Sequence, residues 1–233
     1  MGITKKIEKL PDVLSELRRL STRRNLEGMK RFGITGKKIL GVSVTDLRNL
    51  ARRIPKSHKL AGKLWKTGIH EARVLAGIVE EKEKVTEKQM DFWIKGFDSW
   101  DIVDQTCLNL FCYHPKALQK AKEWIKRQRE YEKRAGFALV AVLAWKDKGP
   151  DKKLYGFFKD IKKYATDERK MVKKAVNWAL RQIGKRNEAS RRKALKIARE
   201  IAIIKSKPAH WIAVDAIREL TSDAVIKRLR IKS

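Results

Sequence analysis

Apolar residues recur at helical spacing along almost the whole chain, and this pattern limits the fold more than any other feature. From Val172 to Ile183 the apolar residues fall at i, i+3, i+4, i+7, i+8 and i+11, which places them on one side of an α-helix. No segment shows the alternating apolar and polar pattern of strands joined by hairpin turns. The sequence therefore predicts an all-α protein of about a dozen helices joined by short loops.

Local signals divide the chain into these helices. The dense apolar segment from Phe137 to Trp145 predicts a central helix, because a helix that is apolar on all sides has to be buried. Gly149-Pro150, Lys207-Pro208 and the region from Gly33 to Gly41 predict breaks between helices.

A weak internal repeat suggests that pairs of helices stack on one another. The repeat consists of alanines at the start of apolar helices, with spacings of 40 and 41 residues between the last three: Ala72, Ala135, Ala175 and Ala216. This period is typical of HEAT and armadillo repeats, although helical bundles also use small residues at close crossings. We expect an α-solenoid of HEAT-like helical repeats with a basic concave face, forming a single domain over residues 1–233.

The charge of the chain indicates the class of partner. The 233 residues include 57 Lys and Arg against 27 Asp and Glu, which gives a formal net charge of +30. Neutralising phosphates releases condensed counterions, so nucleic acid is the partner that such an excess favours. A lysine-rich, heat-adapted surface is the alternative, but heat adaptation raises Glu together with Lys. A hydrophobic content of 42% with seven tryptophans indicates a folded protein.

Several classes of site and location are disfavoured by the sequence. Cys107 and Cys112 form neither a metal-binding pattern nor a disulfide framework. The four histidines are scattered, so we expect no metal and no cofactor. The segment from Met1 to Leu20 lacks the apolar core of a signal peptide, and no apolar stretch is long enough to span a bilayer. We therefore expect no membrane partner and a cytoplasmic, reducing location.

Basic residues cluster in two segments that could follow a phosphate backbone. The residues that we expect to bind DNA are Lys133, Arg134, Lys170, Lys173, Lys174, Arg181, Lys185 and Arg186. No base-reading motif accompanies them, so binding should depend on shape and charge more than on base sequence.

An aromatic and acidic segment, from Phe97 to Asp104, stands out in this basic chain. Trp100 and Asp104 are four residues apart, so a helix would place them on one face. A carboxylate repels phosphate, but a carboxylate and an indole face both attract a cation. Within the same segment, Asp98 is the predicted N-cap of the helix and Asp101 a charge at its first turn.

Three motifs together resemble the AlkD-like DNA alkylation-repair family, the HEAT-like-repeat DNA glycosylases. They occur in the family's order and at similar spacing: Ser99-Trp100-Asp101-Ile102-Val103-Asp104, Lys133-Arg134-Ala135, and Lys174-Ala175-Val176-Asn177-Trp178-Ala179-Leu180-Arg181. Less specific similarity covers nearly the full length. The chain departs from the family in having Ser99 where a further tryptophan is typical, and Lys170 and Met171 where an aromatic pair is typical.

The resemblance implies a set of roles. Trp100 and Trp178 match the tryptophans that flank the damaged nucleotide, Asp104 the catalytic aspartate, and Arg134 an arginine beside the DNA backbone. The implied activity is excision of positively charged N3- and N7-alkylated purines from double-stranded DNA, without a cofactor. We expect a monomer, located at the nucleoid when bound to alkylation-damaged DNA.

Other interpretations of the same residues remain open. Asp104 could be a structural partner of Lys133 or Arg134, and Trp100 and Trp178 could be core aromatics. We expect the remaining tryptophans to lie in the core: Trp65, Trp93, Trp124, Trp145 and Trp211. Relatives with this fold can bind branched or distorted DNA without breaking a glycosidic bond, and a helical-repeat scaffold for RNA or protein is a further alternative.

Overall fold

Every regular element is helical in residues 6–36, 38–147 and 149–231, which are the residues that the computed structural model describes. This confirms the predicted all-α class. The α-helices within these ranges are α1 (Leu10–Arg19), α2 (Arg23–Arg31), α3 (Val44–Ala51), α4 (His58–Lys66), α5 (His70–Val79), α6 (Glu87–Lys95), α7 (Trp100–Asn109), α8 (Ala117–Ile125), α9 (Glu130–Lys146), α10 (Lys152–Tyr155), α11 (Phe158–Lys163), α12 (Lys170–Gly184), α13 (Glu188–Ala202), α14 (Lys207–Leu220) and α15 (Asp223–Arg230). Short 3-10 helices occupy Lys82–Lys84, Phe111–Tyr113 and Tyr164–Thr166.

Close contacts divide the chain into two compact units, Met1–His114 and Pro115–Ser233. Each unit has its own buried apolar residues and is described separately below. The expectation of a single domain stays a prediction. No helix within the described ranges combines the length and the apolar character needed to cross a bilayer.

The first unit is built around α5, which packs against α3, α4 and α7. An aromatic cluster fills part of its core: the rings of Trp65 and Trp93 stack with their centroids 4.3 Å apart, and the Phe97 ring meets Trp65 edge-on at 5.9 Å. Burying a large apolar side chain contributes about 1.5–3 kcal/mol, so this cluster is a main source of stability for the unit.

A buried carboxylate fixes the loop between α2 and α3. The Glu71 side chain, on α5, is fully buried and accepts hydrogen bonds from the backbone N–H groups of Leu40, Gly41 and Val42. Gly41 has a φ of +89°, a left-handed conformation that glycine adopts without strain. The predicted break at Gly33 to Gly41, of which Lys37 lies outside the described residues, is thus tied to α5 at its end, through Leu40 and Gly41.

The second unit has α9 at its centre. As predicted, this helix is buried almost throughout, from Glu132 to Ala144. Gly136 permits a close crossing with α8, because a Cβ at this position would lie only 2.6 Å from the backbone nitrogen of Ile125.

Three helices of the second unit run parallel, side by side. Near the start of α9 the Glu130 carboxylate accepts from the backbone N–H of Met171, and near its end the Ala144 carbonyl accepts from Arg186, so α9 and α12 point the same way. Between α12 and α14 the contacts repeat at an offset of 38 residues: Lys173 with Trp211, Asn177 with Asp215, and Arg181 with Glu219. We call this series the α12–α14 ladder. It confirms a structural repeat of about 40 residues.

The ladder also corrects the register of the predicted repeat. Its offset of 38 residues places Ala175 level with Ala213, not with Ala216. Both alanines of α14 are fully buried, which is why the sequence alone does not distinguish them.

The tryptophans expected in the core divide into two groups. Trp65, Trp93 and Trp124 are buried as predicted, but Trp145 and Trp211 keep 66% and 38% of their surface exposed, so the prediction is wrong for these two. Trp145 lies in the last turn of α9, beyond the buried stretch that ends at Ala144. Trp211 lies on the side of α14 opposite the buried Ala213 and Ala216.

Candidate functional site

Helix α7 places Trp100 and Asp104 on one partly exposed face. Trp100 is its first residue and Asp104 lies one turn later, and both are half-buried. The opposite side of the helix is buried through Ile102 and Thr106, which fixes the rotation of α7. The Trp100 indole N–H donates to the carbonyl of Phe32 at 3.1 Å, so the ring is held at one edge while part of its surface stays accessible.

The first turn of α7 is anchored by a buried ion pair. His70, at the start of α5, lies with its Nε2 2.7 Å from Oδ2 of Asp101, and the two side chains are 6% and 9% exposed. The hydroxyl of Ser99 donates to the other carboxylate oxygen. Asp101 is therefore a first-turn charge as predicted, and it also joins α5 to α7.

The ionisation of both partners reflects this contact. Burial alone would lower the pKa of His70, but the hydrogen bond and the charge of Asp101 outweigh it and raise the pKa above its usual value. Burial alone would raise the pKa of Asp101, and the hydrogen bond and the charge of His70 instead lower it. The pair is consequently charged over a window that includes mildly acidic pH.

The predicted N-cap of α7 is wrong by one residue. Ser99, not Asp98, occupies the N-cap position, and the Asp98 carboxylate instead accepts from the Arg73 guanidinium at 2.9 Å. The competing ion pair, between residues far apart in sequence, draws Asp98 away from the helix start.

A largely apolar hollow of about 520 Å³ adjoins Trp100 in the first unit. Met29, Phe32 and Leu47 contribute apolar walls, while Arg24 and Arg31 come from α2. A larger hollow of about 840 Å³, between α1 and α4, contains none of the predicted site residues.

Lys133 and Arg134 lie in the first turns of α9 and are only 4% and 5% exposed. The Arg134 guanidinium donates to the carbonyl of Met171 at 2.8 Å, at the start of α12. The Lys133 ammonium lies 3.9 Å from the centre of the Tyr164 ring. Burial, assisted by the nearby charge of Arg169, lowers the pKa of Lys133.

The predicted DNA-binding residues of the α12 region fall into two groups. Lys170 and Lys174 are exposed and Lys173 is half-buried, as is Trp178, the tryptophan of the same helix that is predicted to flank the lesion. Arg181 and Lys185, by contrast, form ion pairs with Glu219. These two cations are already ion-paired within the unit.

Arg186 has a structural role that the sequence did not indicate. Its guanidinium pairs with Asp151 and donates to the carbonyls of Ala144, Asp147 and Gly149. It therefore joins the end of α12 to the end of α9 and the turn that follows. Pairing with backbone carbonyls at long separation leaves no pattern in the sequence.

Two structural features bear on cofactor chemistry. Within the described ranges, no group of three or more His, Cys, Asp or Glu side chains is arranged to hold a metal ion. Cys107 and Cys112 are not joined in a disulfide bond.

Comparisons with known proteins agree with this architecture. A family model described as DNA alkylation repair enzyme matches residues 13–220. Among solved structures, a member of a new family of proteins related to the HEAT-like repeat DNA glycosylases, with affinity for branched DNA structures, superposes with a TM-score of 0.78. That likeness covers 91% of this chain and 95% of the other, at 22% identity.

A designed armadillo repeat protein in complex with the peptide (KR)4 also aligns, over 95% of this chain and 92% of its own, at 14% identity and a TM-score of 0.35. That score is too low to support an argument. No curated protein matches. At 22% identity the first likeness shows the fold alone, an all-α solenoid of HEAT-like repeats, whereas the family match spans most of the chain. The chain belongs to the DNA alkylation repair enzyme family.

Proposed function

We propose that this protein is a monofunctional DNA glycosylase that removes positively charged N3- and N7-alkylated purines from duplex DNA. The observation that carries the proposal is the shared, partly exposed face of α7, on which an indole and a carboxylate lie one turn apart. Both groups favour a cation, and they belong to a chain of the DNA alkylation repair family. The net charge of +30 suits a polyanionic substrate.

Removal of such a base needs little catalytic assistance, because the lesion is itself a good leaving group. An alkylated purine of this kind is cationic, so it departs with the electron pair of the glycosidic bond and becomes neutral. The sugar is left with oxocarbenium character, as in glycoside hydrolysis generally. The Asp104 carboxylate would stabilise that positive charge and orient a water, whose oxygen forms the new bond to C1′ while its proton leaves to solvent.

The tryptophans would select the charged lesion. An indole face attracts a cation by about 0.5–2 kcal/mol, so Trp100 and Trp178 favour an alkylated purine over its neutral parent. Trp100 is suited to this role because its N–H bond to the Phe32 carbonyl holds the ring in place. Pre-positioned rings lose less entropy on binding.

Arg134 and the lysines of α12 would hold the phosphates. Lys170 and Lys174 are exposed and suited to direct contact. Arg134 is held by the Met171 carbonyl, so its guanidinium has a fixed direction, and a fixed donor positions a phosphate without reading sequence. These roles rest on the family resemblance and on charge.

A base-release assay tests the proposal. Methylated duplex DNA is incubated with the wild type, with Asp104→Asn and with Asp160→Asn, a half-buried aspartate on α11 that serves as the matched control. We expect Asp104→Asn to slow base release by about 10²–10³-fold, the typical cost of losing one electrostatic contact to a transition state. Binding to DNA should be retained, because the substitution removes a charge that repels phosphate. Equal rates for the wild type and Asp104→Asn would contradict the assigned role.

A second candidate is a non-catalytic protein that recognises branched or distorted DNA. The likeness to a protein with affinity for branched DNA favours it, as does Ser99 in place of the family's tryptophan. This function needs the basic surface but not Asp104. Tight binding to a four-way junction, with no base release by the wild type, would support this candidate over the first.

A further inference from the structure

Helix α14 presents an exposed face that the proposed base excision does not use. The exposed residues of this helix are Lys207, His210, Trp211, Val214 and Arg218. At 3.6 residues per turn they fall within an arc of about 100°, opposite the buried Ala209, Ala213 and Ala216. An exposed indole and valine therefore lie among basic side chains on one continuous surface.

The neighbouring helix α12 completes this surface. The Lys173 ammonium lies 4.8 Å from the centre of the Trp211 ring and supports the ring from the α12 side. Because α12 and α14 run parallel at an offset of 38 residues, Lys170 is level with Pro208, the residue that follows Lys207 at the start of α14. Lys170, Lys174 and Lys207 form no ion pair within the described part of the chain.

The two acidic residues of α14 already form ion pairs further along the ladder. Asp215 accepts from Asn177 and pairs with Arg181 and Arg218, while Glu219 pairs with Arg181 and Lys185. Burial alone would raise the pKa of the Glu219 carboxyl, but the hydrogen bond from Lys185 and the charge of Arg181 lower it. The two carboxylates of α14 are therefore already paired and do not oppose the lysines around Trp211.

Such a surface fits a strand whose bases are not paired. Lysines alone suit the backbone of any duplex, but a duplex turns its phosphates outward and hides the faces of its bases. An exposed indole offers a stacking partner only to a base that has left the stack, and stacking of this kind is tolerant of base identity. The combination of indole and unpaired lysines favours single-stranded nucleotides over an intact duplex.

We propose that the surface formed by Lys170, Lys173, Lys174, Lys207 and Trp211, here called the Trp211 platform, binds an unpaired DNA nucleotide by stacking its base on Trp211 and holding the adjacent phosphates with the lysines. The partner is DNA with a single-stranded arm or a branch, where unpaired bases are available. The proposal rests on the DNA binding proposed above, but not on base excision.

Binding of matched DNA probes tests the platform. Fluorescence anisotropy at constant salt compares a blunt duplex with the same duplex carrying a single-stranded arm, for the wild type and for Trp211→Ala. Alanine substitution of a stacking aromatic weakens binding by about five- to a hundredfold, so we expect a loss in that range for the forked probe. Affinity for the blunt duplex should change by less than about twofold, since phosphate contacts are retained.

Two further variants separate stacking from other effects. Trp211→Phe keeps an aromatic face and should retain most of the affinity for the forked probe, whereas Trp211→Leu keeps apolar volume and should not. Trp145→Ala is the matched control, because Trp145 is the other strongly exposed tryptophan of this unit and lies at the end of α9. It should leave both affinities unchanged.

Several results would overturn the platform. These are unchanged affinity of Trp211→Ala for the forked probe, equal losses on forked and blunt probes, full rescue by leucine, or tighter binding of a single-stranded RNA arm than of the DNA arm. The outcome is independent of the base-release assay. A protein that releases no base but loses its forked-probe preference in Trp211→Ala would refute the glycosylase and support the platform.

Discussion

The buried pair of His70 and Asp101 yields a prediction about stability and pH. The perturbation is Asp101→Asn, which keeps the size of the side chain and its capacity to accept hydrogen bonds but removes the charge. Breaking a buried ion pair costs about 3–5 kcal/mol when one charge is left unpaired. His70 can release its proton, however, so we expect a cost of about 2 kcal/mol, the contribution of a hydrogen bond to a charged group.

The sign of the pH dependence follows from the two pKa shifts. The pKa of His70 is raised in the folded protein, so its stabilisation is fully present below its unfolded value of 6.5 and is lost as the pH rises through the folded value. The pKa of Asp101 is lowered, so its stabilisation is present above 3.8 and is lost as the pH falls through the folded value. The pair should stabilise most between these two limits.

Urea denaturation of the wild type and Asp101→Asn measures the effect at two pH values. At about pH 5.5 we expect the full difference, and at an alkaline pH above the folded pKa of His70 we expect roughly half of it. Comparing the two proteins at each pH largely removes the effect of the large net charge, which differs by only one unit between them. Asp160→Asn, on α11, controls for the loss of an aspartate elsewhere.

The reasoning is refuted if Asp101→Asn costs the same free energy at both pH values, or costs more at the higher one. Either result would mean that the charge of His70 does not contribute to the stability of the folded protein. A cost near zero at both pH values would show that the contact between His70 and Asp101 adds nothing to stability.

Two further predictions concern packing and a buried carboxylate. Gly136→Ala should destabilise the protein by about 1–3 kcal/mol, because the added Cβ would lie 2.6 Å from the Ile125 nitrogen. Thermal unfolding tests this, with Gly62→Ala as the control because Gly62 has open space around it. Glu71→Gln should lower the free energy of unfolding by about 1–3 kcal/mol, because the amide NH₂ group of glutamine would face the Leu40 N–H, which now donates a hydrogen bond to the carboxylate. Urea denaturation measures this loss, and equal stability of the two proteins would contradict the hydrogen-bonding scheme.

The sequence predicted the helices well because their pattern is local. The apolar run of α9 and the break after Gly33 depend on side chains within a few residues of each other, and both are present in the structure. Trp100 and Asp104 share a face of α7 for the same reason, since a spacing of four residues is enough to place them.

The predictions from sequence were wrong where contacts between residues far apart in the chain determine the structure. Asp98 pairs with Arg73, 25 residues earlier, and the local residue preferences at helix starts cannot predict an ion pair with so distant a residue. The exposure of Trp211 could have been found, because it shares its side of α14 with Lys207 and Arg218, but a tryptophan taken alone suggests a core position. Whether Arg134 and Trp178 act as the resemblance implies stays a prediction.

The α12–α14 ladder restricts where this chain can change length. One residue inserted within α14 after Lys207 would rotate every later side chain by about 100°, so Asp215 and Glu219 would both lose their α12 partners in a single event. The same insertion in the turn before Ser206 would leave the register between α12 and α14, and therefore all these contacts, unchanged. Natural length variants of this protein should therefore differ in the turns between helices, while the interiors of α12 and α14 keep their residue count.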